Sequence, residues 1–194
     1  MTTLTTPHDL LAAIPFLIGY HPIDSLVLVS IKDDSVGMAM RIDYPAREED
    51  HFFDAMVAHC SAEGADGALI VAYQPLDQSD GDRVLAQLTA ALSRAGIAIY
   101  ESILIAQGYF RSLLCHDITC CPVEGRLVPP LHSSRIAAAS VVAGHPMPFA
   151  TFAELSDSVR ANLLAYEAPW LERVKKSFVD SHCAELNDYQ RDGA

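Results

Sequence analysis

The segment Gly67-Ala-Leu-Ile-Val-Ala-Tyr73 is short, apolar at every position and bounded by turn residues. That is the pattern of a strand covered on both faces, because a strand with one face in water alternates apolar and polar side chains. A chain that contains it needs a layer on each side of a sheet. The flanking segments read as helices that can provide such cover. From about Glu48 to Ala62, Phe52, Phe53, Met56, Val57 and Cys60 recur at the spacing of a core-facing stripe. Acidic residues at 48–50 favour the positive end of that helix, and Gly64 stops it. A second helix from about Asp80 to Ala95 is expected to bury Val84, Leu85, Leu88, Leu92 and Ala95, with Gly96 ending it.

Upstream, residues 8–19 read as a short lead-in helix that ends near Pro15, with Thr6 or Asp9 available to cap its start. Two strands follow, Ser25–Ile31 and Val36–Asp43, joined through Lys32–Ser35 as a hairpin. In the second, Met38, Met40 and Ile42 alternate with Ala39, Arg41 and Asp43, so the two charged side chains share a face. Downstream, Ile97–Ala106 and Gly108–Leu114 form another hairpin around Gln107-Gly108. The expected fold is therefore α/β: a mixed sheet in β-β-α-β-α-β-β order, layered with helices, followed by a helical C-terminal third.

In that last third, Ser133 or Ser134 caps an Ala- and Val-rich helix running through Ala143, and Gly144–Pro148 stops it. Thr151-Phe-Ala-Glu154 fits a capping box and starts a helical stretch toward Tyr166. Pro169 opens a third helix with the stripe Trp170, Val174, Phe178 and Val179, and Leu171 alongside. The expected division is residues 1–150 as the α/β domain and 151–194 as a helical extension. That extension would pack on the domain, on a second copy or on a protein partner.

Composition narrows the function. Of 194 residues 51% are apolar and 20% charged, which suits a folded globular chain. The formal charge of −12 and only 13 Lys and Arg argue against a phosphate-tracking surface, so no nucleic-acid partner is expected. The basic residues are scattered, apart from Arg173, Lys175 and Lys176, and support no membrane-binding patch. No segment reaches the roughly 20 apolar residues of a membrane span. The apolar run Leu10–Tyr20 is broken by Pro15 and Gly19, unlike a signal peptide, and the expected location is the cytoplasm. There the five cysteines, an odd number, are expected to stay mostly reduced.

Three separated stretches stand out together: Ile14-Pro-Phe-Leu-Ile-Gly-Tyr-His-Pro-Ile-Asp-Ser-Leu-Val-Leu-Val29, Met40-Arg-Ile-Asp-Tyr-Pro45, and Arg111-Ser-Leu-Leu-Cys-His-Asp-Ile-Thr-Cys-Cys-Pro-Val-Glu-Gly-Arg126. In this order they resemble a bacterial family, largely actinobacterial, known as domain of unknown function 4192. The likeness runs over roughly residues 8 to 150 and is weaker beyond. It implies a soluble intracellular domain and supplies no catalytic residue to carry over.

Two groups of residues can carry chemistry. The first is Tyr20, His21, Asp24 and Ser25 before and at the first strand, with Arg41 and Asp43 on its hairpin partner. A serine, a histidine and an aspartate this close invite a nucleophile reading, but no Gly-x-Ser-x-Gly elbow is present. Arg41 and Asp43 equally make a local ion pair. The second is the segment Cys115–Gly125, with Cys115, Cys120 and Cys121. As metal ligands these three would need His116, His132 or Cys183 to complete a tetrahedron. As a redox pair, Cys115 would join Cys120 or Cys121, without the C-x-x-C spacing that activates thiols. As packing, they shape a tight loop with Pro122 and Gly125. The packing reading comes first, and no metal is assigned.

Asp33-Asp34 and Asp80-Gly-Asp82 read as turn and cap residues, since a calcium loop needs a longer ligand series. Gly-x-Gly-x-x-Gly and phosphate-loop lysine motifs are absent, and no cofactor is expected. The leading expectation is a non-enzymatic interaction or small-ligand-binding domain. The alternatives are a small-molecule hydrolase or transferase using Ser25, Arg41, Asp43 and the cysteine loop, and a zinc-stabilised module.

Overall fold

The structure, a computed structural model, describes residues 4–45, 51–130 and 134–160. Its elements run α1 (Pro7–Ile18), β1 (Ser25–Lys32), β2 (Ser35–Asp43), α2 (His51–Glu63), β3 (Gly67–Tyr73), α3 (Gly81–Arg94), β4 (Ala98–Ala106), β5 (Tyr109–Ser112), β6 (Arg126–Leu127), α4 (Arg135–Val142) and α5 (Phe152–Val159). The six strands form one mixed sheet in the order β2-β1-β3-β4-β5-β6. Within this sheet, among the described residues, only β3 and β4 pair in parallel. The α/β layering and mixed sheet are as the sequence implies. The strand count is not: β6 is a two-residue strand pairing Leu127 with Tyr109 and Arg126 with Phe110, too short to leave a pattern in the sequence.

Both hairpins turn on residues with positive φ. Asp33 (50°) and Asp34 (58°) join β1 to β2, and Gln107 (52°) with Gly108 (81°) joins β4 to β5. Two successive left-handed residues match the twist of paired strands, which is what a two-residue hairpin loop requires.

β1 and β3 lie inside the sheet and are sealed on both faces. Leu26 and Leu28 of β1, with Ala68, Ile70 and Ala72 of β3, pack against Phe53, Met56 and Cys60 of α2 and Val84, Leu85, Leu88 and Leu92 of α3. Val27, Val29, Val71 and Ile103 point the other way, against Leu10, Leu11 and Ile14 of α1. Alternate residues of one strand thus enter two different cores. Each fully buried side chain of this size contributes about 1.5–3 kcal/mol. Ala95 is an exception to the expected stripe: it caps the C-terminus of α3 and is exposed.

α1 is more than a lead-in. It does not end at Pro15 but continues to Ile18, where Gly19 takes the left-handed conformation (φ 89°) and its N–H donates to the Pro15 carbonyl at 2.8 Å. A proline inside a helix costs about 3 kcal/mol or more. Here Leu11, Ile14 and Pro15 itself are buried, and that burial opposes the cost.

Both proposed caps of α1 are used. Thr6 Oγ1 accepts from the Asp9 N–H (3.1 Å), and Asp9 Oδ2 accepts from the Thr6 N–H (3.1 Å), closing a capping box. The same Asp9 oxygen accepts from the Thr5 N–H (3.0 Å) and from Arg135 Nη2 of α4 (2.8 Å). Ser134 caps α4, its Oγ accepting from the Ala137 N–H at 3.0 Å. Ala12 and Ala13 of α1 and Ile136 of α4 form a third small apolar cluster, where the alanines let the helices approach. Thr151 caps α5, its Oγ1 accepting from the Glu154 N–H (3.2 Å). Continuation of that helix toward Tyr166, the third helix from Pro169 and the acidic start at 48–50 lie outside the described residues. Among the described residues no helix is long and apolar enough to cross a membrane.

Two outcomes follow from this packing. Leu88→Ala leaves a cavity in the α2–α3 core and is expected to lower unfolding free energy by about 2–5 kcal/mol, whereas Ala95→Ser should stay within about 0.5 kcal/mol, both read by urea denaturation. The second concerns Asp9. The Arg135 hydrogen bond foremost, helped by those from Thr5 and Thr6, holds its carboxyl well below the usual carboxylate range, against the opposing effect of burial. A depressed folded-state pKa gives stability that is complete above the unfolded value of about 3.9 and is lost as pH falls through the folded value. Asp9→Asn should therefore cost about 1–2 kcal/mol at neutral pH. The gap to the parent protein should narrow progressively once pH drops below about 4. A gap that widens on acidification would contradict the role given to Asp9.

Candidate functional site

The first polar group gathers at one end of the sheet. Ser25 opens β1 and stands opposite Asp43 of β2 on one side and Tyr73 of β3 on the other. Arg41, opposite Val27, shares their face, and its guanidinium pairs with Asp43 at 2.5 Å. Tyr20 is buried nearby. Desolvation raises its phenol pKa, with the charges of Arg41 and Asp43 acting in opposite directions. Four of the six candidates, Tyr20, Ser25, Arg41 and Asp43, are thus neighbours.

Their contacts are local. Tyr20 bridges to Phe149 through the backbone and sets its ring against Phe152 in a tilted pair, centroids 5.4 Å apart and planes at 55°. The His21 N–H donates to the Phe149 carbonyl at 3.0 Å, so residues 19–21 clamp the segment ahead of α5. Asp24 is an exposed turn residue with φ 42°, and its carbonyl accepts from the Tyr44 N–H at 2.9 Å. Among the described residues no hydrogen bond joins the His21 ring to Ser25. The Ser25 hydroxyl is wholly sealed between sheet and helix, where no substrate carbonyl can approach it. A nucleophile needs a base at hydrogen-bond distance and an open face, and among the described residues Ser25 has neither. Tyr73 was not foreseen here. Its hydroxyl, like the Ser25 hydroxyl and Arg41 Nε, is buried with no hydrogen-bond partner among the described residues, and burial pushes its phenol pKa up.

Asp80 and Asp82 act as local braces. Tyr44 donates to Asp80 Oδ1 at 3.0 Å, Arg83 pairs with the other Asp80 oxygen at 2.5 Å, and Arg111 pairs with Asp82. These contacts tie the end of β2 and the strand β5 to the start of α3.

The cysteine segment lies at the far edge of the sheet, in the loop from β5 to β6. Four strand spacings of about 4.8 Å, roughly 19 Å, separate β5 from β2. The two polar groups therefore do not converge. An active site built jointly from Ser25, Arg41, Asp43 and the cysteines is not what the fold assembles.

Within the loop the thiols do converge. The sulfurs of Cys115, Cys120 and Cys121 all lie within 4.8 Å of one another. Asp117 makes the turn: its Oδ1 accepts from the Thr119 N–H (2.8 Å) and its carbonyl from the Cys121 N–H (2.7 Å). Arg126 braces the far side, donating to the carbonyls of Cys120 (2.6 Å) and Thr119 (2.8 Å). Ser112 anchors the near side, accepting from the N–H groups of Leu114 and Cys115 and donating to Glu101. The Asp117 backbone N–H, followed by hydrogen bonds from Cys121 and Cys120, holds the Cys115 thiol below its ordinary range. Burial, followed by its hydrogen bond to Cys115, pushes Cys121 up to about 11. His116 is exposed and is not part of the cluster, and the other two candidate fourth ligands, His132 and Cys183, lie outside the described residues.

A third place went unnoticed in the sequence. Between α1 and α4 lies an open cleft of about 350 Å³, lined by Ala13, Phe16 and Leu17 of α1, Ile136 and Ala139 of α4, and Val36 of β2. Ser140 and His145 add its polar groups. The available signal was α1 itself, whose apolar residues occupy more of its circumference than one sheet can cover.

Comparison with known proteins adds one finding. No curated protein and no solved structure matches the chain. A family pattern does match, over residues 7–188, nearly the whole length. It takes in α1, the sheet and the thiol loop, and the chain belongs to the family described as domain of unknown function DUF4192.

Proposed function

We propose that this domain is a non-enzymatic small-ligand-binding module and that its ligand is an amphipathic organic molecule held in the α1–α4 cleft. The observation that carries this reading is the cleft itself. Its volume of about 350 Å³ lies within the range of about 300–1,000 Å³ typical of small-molecule sites. An α-helix with its side chains is about 10–12 Å across, too broad for a space of this size, which favours a small molecule over a docked helix. Phe16, Leu17 and Ile136 suit an apolar body, while Ser140 and His145 suit a polar head.

The base of the cleft is held in place. Arg135 reaches from the first residue of α4 to Asp9 on α1, and Ile136 packs on Ala12 and Ala13. A ligand therefore meets walls whose spacing is already set, which lowers the ordering cost of binding. The same reading goes with a cytoplasmic location, where the exposed Cys120 stays reduced. The enzyme alternative has less support, because the Ser25 hydroxyl is sealed and the thiol loop stands at the opposite sheet edge.

A fluorescence titration with 1-anilinonaphthalene-8-sulfonate, with medium-chain alkyl carboxylates as competitors, tests the proposal. Saturable one-to-one binding is expected. Ala139→Trp, which fills the cleft from a partly exposed position, should weaken it by at least about tenfold, a loss of about 1.4 kcal/mol. The melting temperature should move by no more than a few degrees. Binding that is unsaturable, or that is indifferent to the filled cleft, would refute the site.

A further inference from the structure

We propose that Cys115, Cys120 and Cys121 form a three-thiolate binding site for Zn²⁺, to which no other described residue adds a ligand. The site shares no residue with the α1–α4 cleft and stands independently of it.

The argument begins with what a cysteine used only for packing looks like in this chain. Cys60 is fully buried among Phe53, Met56 and the α3 leucines, and burial raises its thiol to about 11. The loop cysteines differ. Cys120 is exposed, and Cys115 and Cys121 are only partly covered. Of the three only Cys121 feels burial strongly, yet all three sulfurs lie within 4.8 Å of one another, so apolar packing does not account for their arrangement.

Geometry then matches the ion. Zinc–sulfur bonds of about 2.3 Å in a tetrahedron place the sulfurs about 3.8 Å apart. The three sulfurs lie within 4.8 Å already, so closure by about 1 Å at most completes the set. In extended chain the adjacent Cys120 and Cys121 would point to opposite sides. The Asp117 turn removes that obstacle through the Thr119 and Cys121 N–H groups, and it does so with hydrogen bonds that do not involve the sulfurs. The loop is shaped before any ion arrives.

Charge and access also fit. Three thiolates around Zn²⁺ leave one net negative charge, and the Arg126 guanidinium lies against the loop carbonyls of Cys120 and Thr119. Each thiol that enters the coordination sphere releases its proton to solvent, so binding strengthens as pH rises. Exposure of Cys120 gives the ion a path in.

The test uses the full chain, reduced and stripped of metal, titrated with Co²⁺ as a spectroscopic probe and then with Zn²⁺. The expected result is one cobalt per chain, a sulfur-to-cobalt charge-transfer band of three-thiolate intensity, and full displacement by Zn²⁺. Cys120→Ser changes an exposed side chain and should keep the fold. It should weaken Zn²⁺ by more than about 100-fold, beyond the usual cost of losing an outer-shell partner. Cys60→Ala should leave the band unchanged. The proposal fails if no stoichiometric band appears, if Cys120→Ser binds as the parent does, or if the band disappears in Cys60→Ala.

Discussion

Leu26, Val27, Leu28 and Val29 are consecutive and all sealed from water, so β1 must be covered on two sides at once. β3 beside it carries the same demand through Ala68, Ile70, Val71 and Ala72. A strand pair of this kind cannot sit at a sheet edge or face solvent without exposing large apolar surface. α2 and α3 meet one half of the demand and α1 the other. The remaining strands are added outward from this pair, and every site described above is placed by reference to it. β2 extends the sheet on the β1 side, while β4, β5 and β6 extend it on the β3 side.

That arrangement separates the polar chemistry. Ser25, Arg41, Asp43 and Tyr73 gather on the α1 side where β1 begins and β3 ends. The thiol loop hangs from β5, on the opposite side of the central pair. Because α1 is itself apolar over most of its surface, it needs cover beyond the sheet, and α4 provides part of it. The Asp9–Arg135 pair ties the start of α4 to α1, and the cleft lies between the two helices. The path from sequence to site is thus short: an unusually apolar first helix, a buried carboxylate that orients its partner, and a space left between them.

Much of the fold was legible in local patterns. The continuous apolar runs marked β1 and β3, the 3.6-residue stripes marked α2 and α3, and Asp33-Asp34 and Gln107-Gly108 marked both turns. Pro15 misled because proline ends helices in isolation, whereas here tertiary burial of Leu11 and Ile14 carries the helix past it. β6 was invisible because two residues carry no periodicity, and its pairing depends on the hairpin it joins. The candidate residues around Ser25 were close in sequence and four of them are close in space, but closeness hid the fact that the hydroxyl faces inward. The cleft depends on two helices more than a hundred residues apart, so the apolar excess of α1 hints that it needs further cover but does not say which element provides it. For the cysteines, spacing alone argued against a joint site. The Asp117 turn, held through both its carboxylate and its carbonyl, accompanies sulfurs that lie within 4.8 Å of one another.

The dependence of the molecule on its doubly covered strand pair is open to direct measurement by native-state hydrogen exchange. Amides of Leu26–Val29 and Ile70–Ala72 should exchange only through global unfolding, with opening free energies equal to the stability measured by denaturant. Those of β5 and β6 should exchange faster, through local opening. If the β1 and β3 amides exchanged through sub-global openings, at rates like those of the sheet edge, the central pair would not be the element on which the rest is built.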